Sequence, residues 1–312
     1  MEYIKLKNSD LTVSRLCMGG CPMGGYGWGN TQEQDFIDAI HTALDNGINF
    51  FDTADTYGLG QSELTLSKGL GNNRNRVTIE SKFGVRKING KTVYDNSAEY
   101  IEEALNGTLK RLNTDYIDIY TIHYRDGKTS MDDVMYKLNK LKELGKIRYF
   151  GLSNISEGGL KELLPYKNQF VNCQNEFSLA CRKNEQSLLQ LQNLLNLTPM
   201  TWGSLGQGVL TGKYNMETVF DANDRRSRKI YVNFHGEKLK ANLKIVDVLK
   251  TVSNKYNKSI ASCAIRFILD YLPNSVVLAG VKTPKQMLSN VEAMNWHLSI
   301  EEILQLNQIS LI

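Results

Sequence analysis

Asp52 and Tyr57 stand close together in NFFDTADTYG (49–58), where an apolar run turns polar, and the same change recurs at Lys82 in IESKFG and at His123 in YTIHYRD. A phenol with an ordinary pKa of about 10 is a weak proton donor near neutral pH unless a nearby positive charge stabilises its phenolate. Lys82 can supply that charge, and Asp52 can keep the lysine protonated as its counter-ion. His123 can orient a carbonyl oxygen or assist proton transfer. The four groups describe a site that gives a proton to a carbonyl while something else delivers electrons. Singly, each has an ordinary structural use as a solvated charge, a turn cap or a hydrogen-bonded histidine. What gives them a joint role is their position at the ends of successive strands.

Those strands belong to a pattern of short β-rich runs alternating with amphipathic helices. The runs are 15–20, 49–54, 77–82, 116–123, 147–153, 171–177, 199–205 and 275–281. QEQDFIDAIHTALDNG places Phe36, Ile37, Ile40, Ala43 and Leu44 on one helical face and stops at Gly47, while Ser97 is an N-cap for the helix that follows it. Strand, helix, strand at this spacing implies parallel pairing through right-handed crossovers, and eight such units predict a closed (β/α)8 TIM barrel, an α/β fold. A barrel carries its reacting groups at the C-terminal strand ends, where Asp52, Lys82 and His123 lie and just after which Tyr57 follows. The glycines of MGGCPMGGYGWG have the wrong offsets for a G-x-G-x-x-G fingerprint, which argues against an open dinucleotide-binding sheet. Three segments exceed a minimal barrel: an N-terminal hairpin in YIKLKNSDLTVS that caps one end, a long polar connection from Gly206 to Gly236, and an extra C-terminal helix in SIEEILQLNQIS. No linker divides residues 1–312, which read as one domain.

Charge and composition remove other classes. The net charge of +4 comes from 37 basic and 33 acidic residues without a dense basic block, so no nucleic-acid partner is expected. Cys17, Cys21, Cys173, Cys181 and Cys263 lack metal-ligand spacing and read as reduced cytosolic thiols, with no metal site. The N-terminus lacks an apolar signal core and no run approaches the ~18 apolar residues of a membrane span, so a cytoplasmic protein without membrane insertion is expected. Its oligomeric state is left open.

In these residues the chain resembles the aldo-keto reductase superfamily, from LCMGG to QMLSNVEAM, and in motif layout its bacterial sugar and aldehyde reductases. The resemblance makes Asp52, Tyr57, Lys82 and His123 the catalytic residues, with Tyr57 as proton donor, and implies NADP(H) held without a Rossmann domain. Ser153, Asn154 and Gln174 resemble the residues that hold the nicotinamide carboxamide, and Trp202 the aromatic that stacks on its ring. Gly20, Cys21 and Asp52 are also implied on the cofactor side. Gly203, Ser204, Leu205, Gly208 and Lys213 match the pyrophosphate loop, and Arg226 is assigned the family's arginine contact over Arg225 and Arg228. In AGVKTPKQMLSN, Gly280 and Lys282 precede a helix begun by Pro284; Lys282 is matched to the 2′-phosphate, Gln286 and Asn290 to the adenine, favouring NADP over NAD. Trp202-Gly203-Ser204-Leu205 departs from the family's usual Ser-Pro before the leucine.

The loop after the fourth strand and the C-terminal tail are short, so an open pocket is expected, walled by Tyr26, Trp28, Tyr124 and Phe177. The resemblance implies a small-molecule carbonyl or alcohol substrate, with a carbonyl on a polyhydroxylated compound as the expectation. An alternative reading is an NADP-binding regulatory subunit similar to the potassium-channel β-subunits; the presence of His123 argues for turnover instead.

Overall fold

The computed structural model describes residues 1–311. A two-stranded antiparallel hairpin, β1 (Tyr3–Lys5) and β2 (Thr12–Ser14), leads into a closed parallel barrel. Its strands are β3 (Leu16–Gly19), β4 (Phe50–Asp52), β5 (Thr78–Phe83), β8 (Ile117–Ile122), β9 (Ile147–Ser153), β10 (Phe170–Glu176), β11 (Thr198–Trp202) and β12 (Val276–Gly280), paired in that order and closed by β12 on β3. All eight expected strands are therefore present, and closure leaves no unpaired edge.

The two-residue alternation of a strand decides what enters the barrel. Cys17, Phe50, Ile119, Met200 and Val276 form an inner apolar cluster, which Leu6, Leu11 and Val13 of the N-terminal hairpin join. Two residues further along, the same alternation brings in Asp52, Thr121 and Trp202, while Glu80 and Lys82 share the inward face of β5. The apolar floor thus lies under a polar upper layer. The outward residues, including Phe51, Ile79 and Tyr120, pack beneath the helices.

Helix signals read from the sequence are realised locally. The helix α1 (Glu33–Asp45) buries Phe36, Ala39, Ile40 and Ala43, and Gly47 follows at φ +78°. In α3 (Ala98–Leu112) the Ser97 side chain accepts the Tyr100 backbone N–H, and in α4 (Met131–Glu143) Ser130 does the same for Asp133. The extra C-terminal helix is α10 (Ile300–Ser310), begun by a capping box between Ser299 and Glu302. A second hairpin, β6 (Val85–Ile88) and β7 (Lys91–Tyr94), rises from the loop after β5 and turns at Asn89-Gly90, where both φ angles are positive. No helix of the described residues is long and apolar enough to cross a membrane.

The N-terminal segment is also held by charge. Arg266, fully buried on α8 (Ile260–Tyr271), donates to Glu2 at 2.7 Å and to Asp270 at 2.7 Å. Removing the guanidinium leaves Glu2 with Arg15 as its one charged partner and the poorly solvated Asp270 without a guanidinium. Arg266→Met should lower stability by about 3 kcal/mol in denaturant unfolding, and a loss below about 1 kcal/mol would show that the network does not hold the terminus.

Candidate active site

The ends of β4, β5 and β8 and the loop after β4 bring Asp52, Lys82, His123 and Tyr57 together. Lys82 Nζ donates to Asp52 Oδ2 at 2.6 Å, to the Thr53 carbonyl at 2.8 Å and to the Tyr57 hydroxyl at 3.3 Å. All three ammonium hydrogens are thereby used. The Asp52 and Lys82 side chains are each 1% exposed, so this is an ion pair in the barrel interior. Gln174 Nε2 donates to the same Asp52 oxygen at 2.7 Å. The Tyr57 and His123 rings meet edge-on with centroids 5.8 Å apart.

Burial alone would strip the proton from Lys82, but the Asp52 carboxylate outweighs it and holds the ammonium well above the ordinary lysine range. For Asp52, burial pushes the carboxyl up while Lys82 and Gln174 pull it back. The phenol of Tyr57 departs from the sequence expectation. Burial raises its pKa by more than Lys82 lowers it, because the lysine charge is already matched by Asp52 and sits at the longest of its three contacts. Tyr57 is therefore not acidified in this structure; it is a fully protonated donor whose conjugate base would form beside a cation. Burial, seconded by Lys82, keeps His123 neutral, and its Nδ1 is buried without a hydrogen-bond partner.

Asn154, in the left-handed region at φ +57°, ties neighbouring strand ends together: its backbone N–H donates to the Gln174 carbonyl at 2.9 Å and its amide to the His123 carbonyl at 3.0 Å. The tetrad opens into a cavity of about 1290 Å³, larger than the roughly 300–1,000 Å³ that serves one small ligand. Cys21, Asp52, Ser153, Asn154, Gln174, Trp202, Gly203, Ser204, Leu205, Gly208, Lys213, Arg226, Gly280, Lys282, Gln286 and Asn290 all line it, as do Trp28 and Tyr124.

The cavity fits a dinucleotide on its own terms. Near the tetrad, the indole N–H of Trp202 is buried and unpartnered. At the far end Lys213, Arg226 and Lys282 collect positive charge beside the first turn of α9 (Pro284–Val291), whose Thr283 N-cap accepts the Gln286 backbone N–H. Burial, followed by Arg226, pushes the Lys282 ammonium down, while Asp224, which also pairs with Arg226, pulls it partly back. Gly203 adopts φ +66°, closed to most side chains, and Ser204 Oγ bonds the Thr201 carbonyl at 2.9 Å and the Leu278 carbonyl at 3.0 Å.

Three expected site residues are elsewhere. Phe177 is fully buried outside the barrel wall, stacked on Tyr271 at 6.2 Å; Gln174 and Glu176 point inward, so the next residue points out. Tyr26 is 61% exposed at the rim, where it takes Arg225 on its carbonyl and Arg228 on its hydroxyl, outside the cavity. Gly20 does not line the cavity, whereas Gly19 does; a Cβ on Gly20 would lie 2.6 Å from the Asp52 carbonyl, so its role is close packing. Conversely, Glu176 and Lys183 line the mouth as a 3.1 Å ion pair that the sequence reading missed, although Glu176 shares the parity of Gln174. Tyr94 of the second hairpin stacks on Tyr124 at 5.0 Å, and Tyr124 leans on His123 at 5.1 Å. The long connection is pinned across the opening: Arg225 donates its backbone N–H to the Gly27 carbonyl at 3.0 Å and lies over the Trp28 ring at 4.9 Å.

Comparison with known proteins places this geometry. Residues 15–311 match the model of the aldo/keto reductase family. The aldo-keto reductase YhdN of Bacillus subtilis (strain 168) is 32% identical over 315 residues, covering 99% of this chain and 93% of that protein. The NADH-specific methylglyoxal reductase of Escherichia coli (strain K12) is 32% identical over 318 residues, covering 96% and 95%. Among solved structures, the glycerol dehydrogenase AKR11B4 from Gluconobacter oxydans superposes with a TM-score of 0.89 at 29% identity, covering 98% of this chain and 94% of that one.

The electrostatics make a direct prediction. In an NMR pH titration the His123 ring, assigned with His123→Gln, should stay neutral as pH passes the ordinary histidine value of about 6.5. A midpoint there would contradict the buried, lysine-facing imidazole.

Proposed function

The chain belongs to the aldo/keto reductase family, and on that premise we propose that it reduces an aldehyde or ketone to the alcohol with NADPH, Tyr57 giving the proton. Enzymes of this family are oxidoreductases that act on small carbonyl compounds with nicotinamide cofactors. The observation that carries the proposal is the buried Lys82 ammonium bonded at once to Asp52 and the Tyr57 hydroxyl. Tyr57 carries its proton at neutral pH, and Lys82 faces the negative charge that forms as the proton leaves. Neutral His123, edge-on to Tyr57 at the cavity wall, can donate a hydrogen bond to a carbonyl oxygen without bringing a second cation next to Lys82. A reduced nicotinamide, when bound, supplies the hydride. Ser153, Asn154 and Gln174 would hold its carboxamide and Trp202 its ring, while the loop from Gly203 to Lys213 would take the pyrophosphate.

NADPH over NADH rests on the cationic corner of Lys213, Arg226 and Lys282 at the N-terminus of α9, which favours an additional phosphate. The E. coli relative is named NADH-specific, so family membership alone does not choose the cofactor. For the substrate, Trp28 and Tyr124 offer flat apolar faces and the Glu176–Lys183 pair offers hydrogen-bonding groups at the mouth. Faces and polar edges together suit a carbonyl on a polyhydroxylated compound, in keeping with the glycerol dehydrogenase name of one solved relative.

Oxidation of NADPH by the purified protein, followed by its absorbance against aldehydes, ketoses and ketosteroids with NADH in parallel, tests the reading. Turnover with an NADPH preference is expected, whereas tight cofactor binding with no turnover across the panel would favour the regulatory subunit. Lys282→Glu should raise KM for NADPH by roughly tenfold to a hundredfold and leave NADH nearly unaffected. An unchanged ratio between the two cofactors would remove Lys282 from phosphate recognition.

A further inference from the structure

Two residues before Lys82 on the inward face of β5 lies Glu80, fully buried and absent from the cavity wall. It is the register partner of Asp52 on β4. Neutral donors from two other strands hold its carboxyl: Thr121 Oγ1 donates to Oε1 at 2.5 Å and Asn172 Nδ2 to Oε2 at 2.8 Å. Between those strands, β9 contributes Gly151, where a Cβ would fall 2.1 Å from Thr121 Oγ1 and 3.1 Å from Glu80 Oε1. The barrel therefore omits a side chain to make room for this carboxyl.

The titratable groups facing Glu80 are Asp52 from β4, Lys82 on its own strand, Cys17 from β3 and Cys173 from β10. Burial keeps both thiols neutral. One ammonium is thus shared by two buried carboxyls, and a second unmatched negative charge in this interior is costly. Asp52 owns the direct contact with Lys82, so Glu80 is the group left to hold a proton. A proton acceptor is at hand, because Asn172 Oδ1 is buried without a partner, and turning the amide end for end presents that oxygen to Oε2.

We propose that Glu80 is a positioning residue of the active site, a neutral carboxylic acid beneath Lys82 whose ionisation adds a second negative charge to the Asp52–Lys82 pair and weakens the support of the Tyr57 phenolate. Burial first, and the Asp52 charge second, push its pKa up to about 7. The acid form is present below that pH and the carboxylate above it. Reduction is therefore strongest on the acid side and falls as pH rises through neutrality, independently of His123.

Infrared titration of the purified full chain, with and without NADPH, reads the proton without turnover. The carbonyl stretch of a protonated carboxylic acid should vanish as pH rises through about 7 and be missing in Glu80→Gln. Asp55, which burial and Glu63 also push up to about 7, contributes its own band, so Asp55→Asn should retain the Glu80 signal. In the reductase assay, wild-type kcat should fall roughly three- to tenfold across the same range, and Glu80→Gln should flatten that limb. Thr121→Val removes a donor that favours the carboxylate and should move band and limb to higher pH; it also serves as the test should Glu80→Gln not fold. A carbonyl band and limb unchanged in Glu80→Gln, or unmoved in Thr121→Val, overturn the proposal. Only the kinetic arm rests on the reductase reading; a protein without turnover that shows the Glu80 band has lost that reading and kept the buried acid.

Discussion

A charged ammonium inside a barrel is the constraint on which the rest of this structure turns. Lys82 is 1% exposed, and three acceptors within 3.3 Å are what keep it there as a cation. An isolated ion so placed would lose its proton, and an ion pair so placed does not stabilise the fold. The stabilisation comes from elsewhere: from the closed sheet, from the apolar floor plugged by Leu6, Leu11 and Val13, and from the helices packed on the outer faces. Asp52 cannot shift without unpairing Lys82, and the same carboxylate holds Gln174 in the cavity wall.

Much of this was legible because strand parity and chemistry coincide. FFD places Phe50 in the floor and Asp52 in the mouth, and ESK places Glu80 and Lys82 on one face. The eight strands, the plugging hairpin and the clustering of Asp52, Tyr57, Lys82 and His123 could be read from such patterns. The misplacements came from neglecting the same rule. Phe177 follows inward Glu176 and so faces out, while Glu176 and Glu80 share the parity of Gln174 and Lys82 and were passed over. The second hairpin had its signal in Asn89-Gly90, a turn dipeptide between β-rich runs. Tyr26 illustrates a different limit, because which aromatic of a loop turns inward depends on the arginines of a segment about 200 positions away. The acidity expected of Tyr57 failed for an energetic reason, since type and proximity do not tell whether a lysine charge is already spent on another partner.

At Ser204, where the family resemblance leads one to expect a proline, the hydroxyl bonds the Leu278 carbonyl of β12 at 3.0 Å, and Gly203 before it lies at φ +66°. Arg226, chosen among three arginines, lies in the cavity wall and is held by Asp224 at 2.8 Å, whereas Arg225 joins the long connection to the first loop. Both arginines line the cavity.

In the proposed reduction the proton delivered to the carbonyl comes from the Tyr57 hydroxyl beside Lys82. The most direct measurement pairs NADPH affinity, by fluorescence titration, with carbonyl turnover in Tyr57→Phe. Affinity should stay within about threefold of wild type, because the phenyl ring keeps the wall, and kcat should fall by roughly a thousandfold or more. Turnover within about tenfold of wild type would contradict it and assign the proton to another group.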